Sequence, residues 1–466
     1  MSIAPRRNTN SKTILTANIS DYLQILATFA DLVMLNHLLV IALVMSSPAF
    51  GAVIPSELPE RSDTVLVEDA TSLIRPGYRG LAKALTFSPA SIPTVGNDIE
   101  IITNGLHYKE LLMQDYRSAR DYIELETFLF GSDTSGRVFK KLLSEKVKEG
   151  VPVRYTHDNF GNLFDNIFDG RPFFNGYYTS MRKDDGVNLR NFTPARRLND
   201  GLYPMSSRNH RKISVIDGKV AYVGGMNIND GSLGAWEDTH IRVTGPAVMS
   251  LRALFLQNWN MLAKGKSGRI PLNLVKSDSV PTGEGPVFQV FADGPDMPAH
   301  SVQDALIWTL DNASRYVYIE TPYFMPTRVL VKAMKRAAAR GVDVRLLVPR
   351  DCDIVAATPV NHSFYKACVR GGVRIFERVD RFVHSKVFVA DDYLLYIGSS
   401  NMDTVSLLKL YEAGAMIYDE NSATKLARSF LNDIKGCEEV TEATFAGWSS
   451  KERFQQTMLK PFAFWL

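Results

Sequence analysis

Two histidines, two lysines and two asparagines recur in one register. The first set is His210, Lys212, Asp217, Gly224 and Asn227; the second is His384, Lys386, Asp391, Gly398 and Asn401, 174 positions later. In each set one residue separates His from Lys, four separate Lys from Asp, six separate Asp from Gly and two separate Gly from Asn. A single His-x-Lys is commonplace; five residue types repeated in register are not. These groups suit displacement at a phosphodiester. A neutral imidazole can attack phosphorus while a protonated one supplies the leaving oxygen with its proton. Imidazoles titrate near neutrality, so two of them can divide those tasks. Lys212 and Lys386 would hold the phosphoryl oxygens as point charges, and Asn227 and Asn401 would donate hydrogen bonds to the same oxygens. No His/Asp/Glu cluster at ligand spacing is apparent, so neither a metal nor another cofactor is expected.

The surrounding residues say how such groups would be held. Positions 211–216 and 385–390 are rich in Val, Ile and Phe and read as buried strands. Side chains alternate along a strand, so each His shares a face with its Lys. Asp217-Gly218 and Asp391-Asp392 suit tight turns, with strands returning through Tyr222-Val223 and Tyr396-Ile397. Each copy is therefore a hairpin projecting His, Lys and Asn from one end. Asp217 and Asp391 are assigned to fixing the turn rather than to proton transfer.

The repeat extends beyond the hairpins. Tyr122 to Phe128 and Tyr316 to Phe324 read as strands, each followed by a helix at 3.6-residue spacing (Gly136 to Lys148; Val329 to Arg340). Gly150-Val151-Pro152-Val153-Arg154 returns as Gly341-Val342-Asp343-Val344-Arg345. Strand-helix-strand units of this kind build parallel sheets. Glu126 and Glu320 end the two strands; each either orients an imidazole or is a buried strand-end carboxylate. The segment 159–200 reads as a long loop with Phe160, Phe164, Phe168, Phe173, Phe174, Tyr177 and Tyr178. Those aromatics either meet an acyl chain or bilayer or fold onto the core.

Composition narrows the class. With 45% apolar and 22% charged residues the chain is an ordinary folded protein, and +3 is too little net charge to argue for a nucleic-acid partner. Cys352, Cys368 and Cys437 show no metal pattern and allow at most one disulfide; buried thiols are the simpler reading. Basic residues near the start, an apolar run over 32–45 and small residues before Gly51 resemble an export signal, with an uncleaved anchor or an ordinary helix as the alternatives. The terminus Met458 to Leu466 either docks on the body or lies at a membrane interface.

The duplicated His-Lys-Asp-Asn pattern resembles the HKD motif of the phospholipase D superfamily. Trp236-Glu237-Asp238-Thr239-His240, Thr321-Pro322-Tyr323-Phe324-Met325-Pro326 and Asn401-Met402-Asp403 with Ser406 and Glu412 are similar to its cardiolipin synthase-like branch. Val405 and Leu410 depart from that branch, where Arg and Asn are usual, and Gly225 stands where Ser is common. The resemblance implies an α/β fold of two mixed or parallel sheet halves flanked by helices and related by a pseudo-twofold axis. Its divisions here are a signal or anchor 1–51, an extension 52–96, a first half 97–265, a linker 266–285, a second half 286–420 and a tail 421–466. It implies phospholipid cleavage or transfer through a phosphohistidine, with His210 as nucleophile and His384 as acid, then base; the reverse assignment stays open. Gly225, Ser399 and Tyr323 would contact substrate, and His240 would either bind substrate or hold structure. The expected partners are a phospholipid, phosphatidylglycerol foremost, and a membrane surface on the exported side. A nuclease of the same superfamily and a non-catalytic membrane-binding protein remain as alternatives.

Overall fold

Each half of the chain starts from the same local plan: a helix capped by a side chain, stopped by glycine, and laid on a buried strand. The helix Thr134–Lys148 begins where Asp133 accepts the Gly136 N–H at 2.9 Å. Its counterpart, Arg328–Ala339, is capped by Thr327. Both end at a glycine with φ near +90°, Gly150 and Gly341, a conformation that a side chain would oppose.

The computed structural model describes residues 63–158, 161, 176–192, 207–263, 265, 268–277, 279–295, 297 and 300–464. The expected signal or anchor lies outside the described residues. So do 52–62, the five phenylalanines of the aromatic insert, and Trp465-Leu466. After β1 (Asp63–Glu68) the chain lays down β2 (Asp98–Ile102), β3 (Ile123–Thr127), β4 (Val153–Asp158), β5 (Asn188–Phe192), β6 (Ile213–Ile216), β7 (Val220–Gly224) and β8 (His240–Thr244). Next come β9 (Leu272–Ser277), β10 (Val287–Asp293), β11 (Tyr316–Glu320), β12 (Phe324–Met325), β13 (Asp343–Pro349) and β14 (Arg374–Arg378). The last five are β15 (Val387–Ala390), β16 (Leu394–Gly398), β17 (Met402–Asp403), β18 (Glu412–Tyr418) and β19 (Glu438–Val440).

Seven strands form one sheet in the order β2-β8-β7-β6-β3-β4-β5, and eight form another in the order β10-β18-β16-β15-β11-β13-β14-β19. Position for position these are one topology, with β19 added. In both, the hairpin strand pairs antiparallel with the central strand, which pairs parallel with the next: β6-β3-β4 and β15-β11-β13. The α/β duplication is therefore real in three dimensions.

Both faces of each sheet are covered, which is why the strands read as continuous apolar runs. Between the sheets, Val215, Val223 and Val243 meet Val389, Leu395 and Ile417. The helices Ala247–Met261 and Glu420–Asp433 add Leu251, Leu254, Leu426 and Phe430 to that layer. The outer faces carry the helices Gly105–Ser118 and Thr134–Lys148 on one side, and Ser301–Asn312 and Arg328–Ala339 on the other.

Three expectations change. The segment 159–200 is not all loop: Tyr177–Lys183 is helical, and β5 extends the first sheet parallel to β4. Of the aromatics, Tyr177 and Tyr178 fold onto the core, Tyr178 stacking 4.6 Å from His157. The span 266–285 contains β9, which pairs with β1. The second sheet runs past residue 420, because β19 pairs with β14. The helix Ser450–Leu459 and the turn Lys460–Phe464 after it dock through Leu459 and Ala463 against Ala357 and Val360. All three cysteines are free thiols.

Candidate active site

The ends of β6 and β15 bring the two repeated sets to one seam between the sheets. The backbone does this reciprocally. His210 N–H donates to Tyr411 O at 2.9 Å, and Tyr411 N–H donates to Arg208 O at 2.9 Å. On the other side His384 N–H donates to Glu237 O at 2.6 Å, and Glu237 N–H donates to Phe382 O at 3.0 Å. Each histidine segment thus runs beside the residue preceding an acid of the opposite half. The result is a crossed arrangement. His210 Nδ1 lies 2.9 Å from Glu412 Oε1, and His384 Nδ1 lies 2.6 Å from Asp238 Oδ2.

An ionised carboxylate only accepts, so Nδ1 of each ring carries the hydrogen and Nε2 presents its lone pair. Both acids are held below the usual carboxylate range. Burial works to raise them, but the charge of the nearby lysines and the hydrogen bond from the facing imidazole prevail. The imidazoles are 8% and 6% exposed, so both are buried without being sealed. Burial depresses His210, with Lys212 and Lys386 adding to the effect against Glu412. Burial and Lys386 push His384 down to about 3. Each lysine acts on the imidazole of the other half as well as its own, which places all four groups in one field. Lys212 Nζ donates to His210 O at 2.7 Å, and Lys386 Nζ donates to His384 O. Burial lowers both ammonium groups, Lys386 to about 8.

The sequence model of the family described as "Cardiolipin synthase, PLD-like domain" matches residues 112–259 and 306–434. The chain belongs to that family. It is similar to a cardiolipin synthase of Staphylococcus aureus strain Mu50, 31% identical over 388 residues, covering 81% of this chain and 76% of the relative. A cardiolipin synthase of Geobacillus sp. strain WCH70 is 33% identical over 371 residues, covering 78% and 71%. Among solved structures, the phosphatidylserine synthase of Haemophilus influenzae Rd KW20 superposes with a TM-score of 0.60 at 15% identity, covering 84% of this chain and 97% of that one, a likeness of fold.

Other members of the repeated family pattern stand as follows. Asn227 Oδ1 accepts from Thr127 Oγ1 and Leu129 N–H, each at 3.3 Å. Asn401 turns its amide toward Asp403, leaving Oδ1 unpartnered among the described residues. Asp217 accepts the N–H groups of Arg120, Asp121 and Tyr122 at 2.8–2.9 Å. Asp391 accepts those of Ser314, Arg315 and Tyr316 at 2.7–3.0 Å. These acids sit at the turn and pin the loop entering β3 or β11, far along the hairpin from the imidazoles.

Glu126 and Glu320 do not orient the imidazoles. Glu126 accepts from Asn209 and Asn258 at 2.6 and 2.5 Å, and Glu320 faces Ser385. Alternation explains it: Glu126 pairs with Ile213 and Glu320 with Val387, so each acid shares a face with Arg211 or Ser385, the residue between His and Lys. Gly225 and Ser399 lie against the crossed acids. A Cβ on Gly225 would lie 2.1 Å from Asp238 Oδ1, and Ser399 Oγ donates to Glu412 Oε2. His240 Nδ1 accepts Met226 N–H at 3.2 Å, and its ring lies 4.5 Å from Tyr108. Tyr323 donates its hydroxyl to Asp353. Phe128 packs its ring 5.0 Å from His210, while Trp236 and Phe382 flank His384 at 5.0 and 5.8 Å.

Asp238 and Glu412 are the two site residues that the sequence reading leaves without a role. The signal was present: each is the eleventh residue after its Asn, so the repeated register contains an acid as a further member.

Proposed function

We propose that the protein is a phosphatidyltransferase making cardiolipin from phosphatidylglycerol through a phosphohistidine. The observation that carries the reading is the crossed pair: two buried imidazoles, each fixed at Nδ1 by an acid of the other half, beside two buried lysines. His210 Nε2 attacks phosphorus, the bond from phosphorus to the headgroup oxygen breaks, and His384 gives that oxygen its proton. An incoming alcohol then loses its proton to His384 and attacks, and the nitrogen–phosphorus bond breaks. Lys212 and Lys386 take the charge on the phosphoryl oxygens. His384 is neutral in the empty site; the arriving phosphodiester anion offsets the two ammonium charges and lets the ring hold a proton. Asp238 keeps that imidazolium paired.

A lipid substrate places the cleft at a bilayer. We read 1–51 as the export signal or anchor, which would set the enzyme on the outer face of the membrane. No described helix is long and apolar enough to cross a membrane. The docked tail supports contact with a bilayer surface, because Phe454, Met458 and Phe462 remain exposed on it and Val355 is exposed in the β13 loop, against which the tail packs. Purified protein incubated with labelled phosphatidylglycerol vesicles should yield cardiolipin and free glycerol. Vesicles returned unchanged would overturn the reading; phosphatidic acid alone would reduce it to hydrolysis.

A further inference from the structure

The two sides of the cleft are unlike where the central strands end. The end of β3 runs into Thr127-Phe128-Leu129, where Thr127 Oγ1 donates to Leu129 O at 3.1 Å and the apolar Phe128 ring lies at 72° to the His210 ring. After β11 it continues Thr321-Pro322-Tyr323. Thr321 Oγ1 donates to Tyr323 O at 2.9 Å and accepts Met402 N–H at 3.0 Å, which laces this segment beside Asn401. The following β12 pairs with β17, holding the same register. Tyr323 then donates its hydroxyl to Asp353 Oδ1, which also accepts Ile354 N–H at 2.8 Å. Asp353 is exposed in the loop leaving β13, at the end of the sheet where the repeated sets lie. The hydrogen bonds that other described residues give this carboxylate go to Oδ1, which leaves Oδ2 open to a ligand. The field of Lys386 reaches this carboxylate.

In the mechanism above, alcohols leave and enter on the His384 side, because His384 exchanges their proton. A carboxylate fixed on that side by a tyrosine, with one free oxygen, is an acceptor for a second hydroxyl on the same alcohol. We propose that Tyr323 and Asp353 form the alcohol subsite, with Asp353 Oδ2 accepting a hydrogen bond from the hydroxyl adjacent to the reacting one. The site thereby selects vicinal diols, such as a glycerol headgroup, over simple alcohols. Tyr323 is a positioning residue that fixes the carboxylate through Oδ1. The inference rests on the phosphatidyltransferase reading and adds to it the residues that select the acceptor.

The test uses the full chain, phosphatidylglycerol vesicles as donor, and an equal mixture of isotope-labelled glycerol and propan-1-ol as acceptors. The readout is the ratio of labelled phosphatidylglycerol to phosphatidylpropanol, in which the propyl product reports folded, active protein. The native protein should favour glycerol. Asp353→Ala should lower the ratio about tenfold, the range expected for a hydrogen bond to a charged acceptor. Asp353→Asn keeps an oxygen acceptor and should recover part of it, and Tyr323→Phe should lower it less than Asp353→Ala. A ratio unchanged in Asp353→Ala overturns the subsite while leaving the transferase reading intact. Loss of both products together would assign Asp353 to the chemistry and also overturns it. A native protein that forms neither product sinks the transferase reading and the subsite with it.

Discussion

The first half meets the buried acid of its central strand with a permanent cation; the second meets it with a hydroxyl. Arg211 is fully buried behind His210, donating to Glu412 O at 3.1 Å and to Leu254 O at 3.3 Å, and its charge acts on Glu126. Ser385 occupies the same register behind His384, bonded to Thr239 Oγ1 at 3.0 Å, and faces Glu320. On the cleft side the halves match in His, Lys and crossed acid. Behind it they diverge. The constraint therefore lies on what faces the substrate, while the face behind needs only a buried acid with a polar or charged neighbour.

The sharpest way to break the symmetry is chemical. Replacing either histidine by alanine should cut turnover of natural lipid about 10⁴-fold. With a nitrophenyl phosphodiester donor, whose leaving group needs no proton, the two variants should separate. His384→Ala should accumulate a phosphorylated His210 visible by peptide mass spectrometry, and His210→Ala should accumulate none. A modification found on residue 384 would exchange the roles of the halves.

The next effect is on stability and tests the rear face. Arg211→Met removes the cation from a fully buried acid and should destabilise the fold by about 3–5 kcal/mol, read by denaturant unfolding. Adding Glu126→Gln should restore much of that loss. Ser385→Ala removes only a neutral bond and should cost about 1 kcal/mol. Glu320 carries a further signature. Burial and the charge of Glu237 push it up to about 8, whereas the unfolded chain releases this proton near the ordinary glutamate value. The folded state therefore binds the extra proton between those limits, and stability must fall as pH rises from about 4.5 to 8. Glu320→Gln should flatten that slope; an unchanged slope would mean the proton is held elsewhere.

How much of this was visible in the sequence depends on the range of the interaction. The hairpins, their turns and the shared face of His and Lys follow from local rules, and so did the duplication, because Gly150-Val151 and Gly341-Val342 repeat a local stop. Strand β5 was missed because Asn188–Phe192, with Asn, Arg and Asn among five residues, lacks the alternation of a buried strand and lies at an edge. The acids that hold the imidazoles escape local rules for a different reason. Strand-end glutamates were visible nearby, whereas Glu412 is 202 positions from His210 and reaches it only because Tyr411 pairs with Asn209 across the seam. No local rule encodes a partner drawn from the other half.

That crossing makes a smaller, more specific prediction. Glu412→Gln and Asp238→Asn should each lower turnover about 100-fold, the range for losing a group that orients a reacting imidazole. Each should act on the histidine of the opposite half. Followed by imidazole NMR, Asp238→Asn should disturb His384 and Glu412→Gln should disturb His210. Perturbation confined to the histidine of the same half would dissolve the crossed arrangement.

The smallest expected effect asks why the halves differ beneath the acids themselves. Glu412 is supported by Ser399 Oγ, which also accepts Ala413 N–H at 3.0 Å; Asp238 has Gly225 in the matching place, where a Cβ would collide with the carboxylate. The longer acid leaves room for a hydroxyl, and the shorter one, set back by a methylene, needs the space. Ser399→Ala removes one bond to an acid still held by His210, worth about 1 kcal/mol or roughly fivefold in turnover. Gly225→Ala introduces a clash with no bond to lose and should depress turnover further. Steady-state rates on phosphatidylglycerol vesicles rank the two. If Gly225→Ala proved the milder change, the acid of the second half, not of the first, would be the one with no slack in its position.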